Sequence, residues 1–223
     1  MLRSKRRPVL ATDLGRGRRQ RRSEQTRSRL MMSALHLLQQ RSFAKITVEE
    51  ITESADVGKG TFFNYFPSKE HVMVAMIAEF AQLFEARRLE FTRTQDIRKT
   101  LYEFVHFITT HPPRTPLLMR NILSTAMSNE LMKKPFCKTL KIGEKAVTLL
   151  FSHGQKIGQV RNDVPAAQLA RAMQQLAVGT QAVWSLHGEG SLQERLDDAL
   201  DVFWSGIAVT DSNCRLKRTE KTK

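Results

Sequence analysis

Cysteine is nearly absent: Cys137 and Cys214 are the only two in 223 residues, too few for a disulfide framework or a cysteine-based zinc site. The six histidines (His36, His71, His106, His111, His153, His187) are dispersed and never take a metal-ligand spacing such as H-E-x-x-H. No G-x-S-x-G occurs, and neither cysteine has a neighbouring histidine in sequence. With no catalytic set, metal site or cofactor motif in view, the expectation is a protein that is not an enzyme and carries no cofactor. Long apolar runs are missing as well, which excludes a membrane-spanning helix. The basic N-terminus is not followed by an apolar stretch of secretory type. Strand formers are sparse, and several of the 7 prolines and 11 glycines sit at apparent helix ends. An all-α fold follows from that pattern.

What remains is a core-forming 41% of hydrophobic residues and a strong excess of positive charge, 36 Lys and Arg against 22 Asp and Glu for a net +14. The excess is concentrated at one end. Residues 1–29 hold eleven basic side chains opposed only by Asp13 and Glu24, a net of +9. Such a balance points to a polyanionic partner. Residues 1–23 read as a basic disordered arm, either reaching a minor groove or simply solvated. Residues 211–223 read as a basic tail.

Between them the chain alternates helical stripes with helix-ending signals. Leu30, Ala34, Leu37, Leu38 and then Phe43 form one apolar stripe from Thr26 onward. Thr47 and Glu50 make a T-x-x-E capping box that opens a short second helix. Asp56-Val57-Gly58 is a tight turn, and a third helix runs from Lys59 to Phe66, where Pro67 stops it. Ser68 opens a long fourth helix. Further helices are expected over Asp96–His111, from Pro116, from Pro135 to Ile157, over Pro165–Leu186 and over Ser191–Val209.

The stretch Val57–Glu70, "VGKGTFFNYFPSKE", has the superficial look of a phosphate loop. A P-loop requires glycine five residues before the Gly-Lys pair and Ser or Thr directly after the lysine. Here those positions are Glu53 and Gly60, and no strand precedes. Helix, short turn, helix is instead the geometry that presents a second helix to a DNA major groove. In that second helix Phe62 and Phe66 lie four apart and point inward, leaving Lys59, Thr61, Phe63, Asn64 and Tyr65 outward.

Thr26 to Ile77, with "TVEEITESADVGKGTFFNYFPSKEHV" at its heart, resembles the DNA-binding domain of the tetracycline-repressor (TetR/AcrR) family of bacterial transcriptional regulators. The matching features are T-x-x-x-I-x-x-x-A, V-x-K-G-T, the aromatic "FFNYF" and "P-S-K-E". The resemblance implies a three-helix helix-turn-helix domain over residues 24–70 and a larger helical effector-binding and dimerisation domain over 71–210. It implies a cytoplasmic, nucleoid-associated dimeric repressor of a palindromic operator in double-stranded DNA, released by a small hydrophobic or amphipathic effector and with no membrane partner. An effector-independent DNA-binding regulator shares the same N-terminal features. By position, Thr47, Thr61, Tyr65 and Lys69 would hold phosphate; Lys59, Phe63 and Asn64 would approach base edges; and Gly60 would admit the duplex close to the backbone. An effector pocket would draw on Phe84, Phe104, His106, Phe107, Met119 and Met127, although aromatics and Met at helical spacing are more often core. A four-helix dimer interface would draw on Leu169, Met173, Leu176, Trp184, Leu196, Leu200 and Phe203.

Overall fold

The computed structural model describes residues 11–87, 90–110 and 112–209, and within them every regular element is helical. The only β contacts among the described residues are the isolated bridges Thr110–Pro113 and Val160–Ala208. The chain divides into two units, Met1–Met73 and Val74–Lys223. The division falls inside the fourth helix, close to the expected boundary at residue 70.

The first unit holds α1 (Ala11–Gln40), a 3-10 turn (Phe43–Lys45), α2 (Val48–Ser54), α3 (Lys59–Phe63) and the start of α4 (Lys69–Arg87). Its core holds the expected Leu30, Ala34, Leu37 and Leu38 of α1, closed by Ile46, Ile51, Phe62, Phe66 and Val72. Phe43, expected to continue that stripe, falls in the 3-10 turn after α1 ends and is only half-buried. Helix α1 begins at Ala11, twelve residues ahead of the end expected for a disordered arm. Arg, Gln and Glu are good helix formers, and Gly15 and Gly17 each cost only about 1 kcal/mol against alanine. Residues 19–25 of this extension are exposed. Residues 1–10 of the basic arm, and the basic tail, lie outside the described residues.

The second unit contains the rest of α4, a 3-10 turn (Glu90–Thr92), α5 (Ile97–Thr110), α6 (Pro116–Ser128), α7 (Glu130–Lys156), α8 (Ala166–His187) and α9 (Leu192–Ile207). Asp96 caps α5 by accepting the Lys99 N–H at 2.9 Å, Thr115 caps α6 and Ser191 caps α9. Pro135 does not begin α7. Asn129 does, accepting the Leu131 N–H at 2.9 Å, and Pro135 lies inside the helix. Helix α8 packs against α6, α7 and α9, and α5 against α7 and α9. Four phenylalanines, Phe80, Phe84, Phe104 and Phe91, join edge to face in sequence with centroids 5.2, 5.2 and 5.0 Å apart.

Two sets of expected residues lie differently from the expectation. Of the seven proposed for a dimer interface, Leu169, Met173, Trp184, Leu196 and Leu200 are buried in the protomer's own core, and Phe203 stacks on Phe151 at 6.1 Å. Leu176 and Phe203 are half-buried. Both closing helices carry apolar side chains on two faces, and periodicity alone does not tell the inward face from the outward one. The outward apolar residues are Val183, Leu186 and Val202. Of the six proposed for a pocket, Phe84, Phe104 and Met119 are core, Phe107 is half-buried, and His106 and Met127 are exposed. His106 follows the buried Phe104 by two residues, about 200° around the helix, and so faces away from it.

Candidate nucleic-acid interface

Residues Thr47 to Lys69 build a helix-turn-helix from local rules. Thr47 Oγ1 accepts the Glu50 N–H at 3.2 Å, and the Thr47 N–H donates to Glu50 Oε2 at 2.9 Å, completing the expected capping box. The Thr47 hydroxyl also donates to the same carboxylate at 3.3 Å. Arg41 adds an ion pair to Glu50 at 2.5 Å. The Thr47 N–H, with the Arg41 charge assisting, holds the Glu50 carboxyl below its ordinary pKa. Thr47 is therefore engaged in starting α2.

The turn after α2 has the bonds of a Schellman motif: Val57 N–H donates to Thr52 O at 3.0 Å and Asp56 N–H to Glu53 O at 3.1 Å. The left-handed residue this motif requires is Asp56, with φ 52°, where glycine is usual. Gly58 has an ordinary φ of −73° and serves as the N-cap of α3, without a side-chain cap. The glycine visible in the sequence is thus not the residue that makes the turn.

Helix α3 is shorter than expected. It ends at Phe63, with single turn bonds from Tyr65 and Phe66 back to Phe62 O, both at 2.9 Å. Pro67 disfavours helical geometry at Phe66. Phe62 is fully buried and Phe66 nearly so, their rings 5.8 Å apart, while Arg27 of α1 lies 5.5 Å over Phe66. Burying one such ring contributes on the order of 2–3 kcal/mol. Lys59, Gly60, Phe63 and Asn64 are exposed, and Thr61 and Tyr65 half-exposed. Phe63 meets the Phe62 ring edge to face at 5.4 Å between centroids and still remains 52% exposed, a large aromatic mostly outside the core. A Cβ built at Gly60 meets nothing within 4 Å, so the glycine answers no need of the protomer's own packing.

The two lysines differ in their commitments. Lys59 forms an ion pair with Glu49 of α2, which holds the Glu49 carboxyl below its ordinary pKa. Both side chains are more than half exposed, so that contact exchanges readily. Lys69 Nζ instead donates to three carbonyls, Ile46 O at 2.8 Å, Phe43 O at 3.1 Å and Ala44 O at 3.4 Å, and sits 4.7 Å over the Phe43 ring. An ammonium has three N–H donors, and this arrangement uses them all. Sequence spacing gave no sign of this clamp, because Lys69 is 23 to 26 residues from its acceptors.

Among the described residues no helix is long and apolar enough to cross a membrane, and no three His, Cys, Asp or Glu side chains gather as a metal site. The fold and the outward polar face of α3 define a helix-turn-helix protein. Residues 30–76 match the family described as "Bacterial regulatory proteins, tetR family". Its helix-turn-helix domain belongs to that family.

A curated relative, the HTH-type transcriptional regulator TcmR of Streptomyces glaucescens, is 38% identical over 76 residues, 34% of each chain. The match thus spans about a third of that relative's length. The HTH-type transcriptional repressor DhaR of Mycobacterium sp. (strain GP1) is 23% identical over 190 residues, 84% of this chain and 94% of its own. A transcriptional regulator from Saccharomonospora viridis, solved in complex with choline, superposes with a TM-score of 0.68 at 19% identity, covering 82% of this chain and 98% of its own. The helices beyond the DNA-binding domain therefore share the fold of solved regulators.

Proposed function

We propose that this protein is a dimeric transcriptional repressor that binds a palindromic operator through α3 and leaves it when a small molecule occupies the second unit. The observation that carries the reading is the division of α3. Phe62 and Phe66 are buried anchors, while Lys59, Gly60, Phe63 and Asn64 form an exposed face, on which the Phe63 ring meets Phe62 edge to face and yet stays half exposed. In this arrangement Asn64 and Lys59 read base edges, the first suited to adenine and the second to guanine. Phe63 packs on base edges or sugars, Gly60 lets the duplex approach, and Thr61 and Tyr65 hold phosphate. Lys59 exchanges Glu49 for DNA.

The second copy packs on the outward faces of α8 and α9. There Val183 and Leu186 continue a stripe from Gly179, and Val202 one toward Gly206. A Cβ at either glycine meets open space, which suits close helix approach. A two-fold axis through such a bundle sets two recognition helices in successive major grooves. Effector release requires that the ligand favour a conformation whose recognition helices are wrongly spaced, and linkage makes operator DNA weaken effector binding by the same factor.

The test is footprinting and anisotropy on the DNA upstream of the protein's own gene, with Asn64→Ala beside the parent. The variant is expected to lose about 1–3 kcal/mol of affinity at one base pair of each half-site. Equal losses on every DNA sequence refute base reading by Asn64.

A further inference from the structure

In the second unit a half-buried cation, sealed along its inner edge, lacks a counter-charge. Arg114 lies in the segment between α5 and α6, just before the Thr115 cap. Its guanidinium sits 4.7 Å over the ring of Phe80, and one terminal nitrogen donates to the Ile108 carbonyl at 3.2 Å. Its Nε is sealed from solvent and has no hydrogen-bond partner. It is the one buried side-chain polar atom among the described residues left in that condition. Burial alone, with no neighbouring carboxylate contributing, pushes the Arg114 guanidinium down to about 10. Phe80, beneath it, is the first ring of the edge-to-face series that runs through Phe84 and Phe104 into the core.

A cation held this way is costly unless something pairs with it. The ring face and a single carbonyl compensate part of that cost, yet the fork of a guanidinium is shaped for a carboxylate. We propose that Arg114 anchors the carboxylate of a small apolar acid, whose hydrocarbon or aromatic body lies against the partly exposed Phe80 ring. This assignment names the chemical class of the effector and rests on the function proposed above. It also sets the protein apart from its choline-bound structural neighbour, because an uncompensated guanidinium repels a quaternary cation.

The experiment is thermal denaturation of the full-length protein with matched ligands at fixed ionic strength. Octanoate, 4-phenylbutyrate and 2-naphthoate are compared with octan-1-ol, 4-phenylbutan-1-ol, 2-naphthamide and octylamine. At least one carboxylate is expected to raise Tm, by roughly 3–6 °C per tenfold in concentration above its Kd, while its neutral and cationic counterparts do not. Arg114→Met, which removes the unpaired charge and keeps an apolar stem, is expected to fold and to lose the response. No response to any of the carboxylates up to millimolar concentration overturns the assignment. So does equal stabilisation by a neutral isostere, or a response that survives in Arg114→Met. If Arg114→Met fails to fold, Arg114→Lys decides: weaker carboxylate binding than the parent supports the anchor, and unchanged binding refutes it.

Operator affinity is measured in parallel. A carboxylate that binds without weakening DNA binding refutes effector release and leaves the Arg114 site standing. Release by a neutral or cationic compound with no carboxylate response does the reverse.

Discussion

Replacing Lys69 with Met separates two roles that its place in the motif leaves entangled. Met keeps most of the apolar stem and removes the ammonium, so the carbonyls of Phe43, Ala44 and Ile46 lose their shared donor. Hydrogen bonds to a charged group contribute about 1.5–3 kcal/mol each when sheltered. The Ala44 contact at 3.4 Å is long and the site is only half-buried, which leaves the two shorter bonds partly screened. A net loss of about 2 kcal/mol is therefore expected. The loss falls on the 3-10 turn that delivers Ile46, a buried residue, and Thr47 to the start of α2. Urea unfolding of the full-length protein measures it, and anisotropy at several salt concentrations measures the electrostatic part of DNA binding. A lysine that contacts phosphate releases about one counterion, flattening the log–log salt slope by about one when removed. Because this ammonium is committed to carbonyls, the slope is expected to change by much less than one while stability falls. A stability change under about 0.5 kcal/mol with a slope flattened by a full unit would refute the clamp and restore the phosphate contact.

Gly60→Ala is expected to stabilise the protein by about 0.5–1 kcal/mol, since the new methyl meets nothing within 4 Å and alanine favours the helix. The same variant is expected to weaken operator binding in anisotropy, and unchanged affinity would show that no duplex approaches that face. Asp56→Gly is expected to raise stability by roughly 1 kcal/mol in urea unfolding, because glycine accepts the positive φ without strain. Gly154→Ala is expected to cost about 1–3 kcal/mol, as its Cβ falls 2.6 Å from Val160 and 3.0 Å from Ile97. Glu50→Gln is expected to remove a pH dependence. The depressed Glu50 pKa means its contribution is present above the ordinary carboxylate range and lost as pH falls through the depressed value, so acid denaturation of the parent and the variant should converge.

Local chemistry was legible in the sequence and the choice of face was not. The Thr47–Glu50 box and the Pro116 start depend on residues within three or four positions of one another, and they form as their spacing predicts. Phe62 and Phe66, four apart, go inward for the same reason. By contrast, the stripe through Leu169, Met173 and Trp184 is as apolar on its inner face as Val183 and Leu186 are on its outer one. Only packing against α6, α7 and α9 decides which of them stay outward. The Lys69 clamp and the solitary Arg114 guanidinium are long-range facts of the same kind, visible only once distant carbonyls and rings have been placed.

These long-range facts also redistribute the charge that first suggested a polyanion. Their positions in the motif, through the family resemblance, placed Lys59 and Lys69 with the DNA-facing cations. In the folded protein Lys59 is paired with Glu49, and Lys69 is spent on backbone oxygens. Meanwhile Arg19, Arg21, Arg22 and Arg29 are exposed along α1. A cation already neutralised within the fold releases fewer counterions on meeting a phosphate, because part of its field is satisfied beforehand. The electrostatic share of DNA affinity should therefore come chiefly from α1, while α3, with Asn64, Phe63 and Gly60, supplies discrimination between sequences. Positioning and reading are then assigned to different helices. The extension of α1 to Ala11 belongs to that division, since a helix holds its arginines at fixed spacing, whereas a solvated arm would have to order itself on binding.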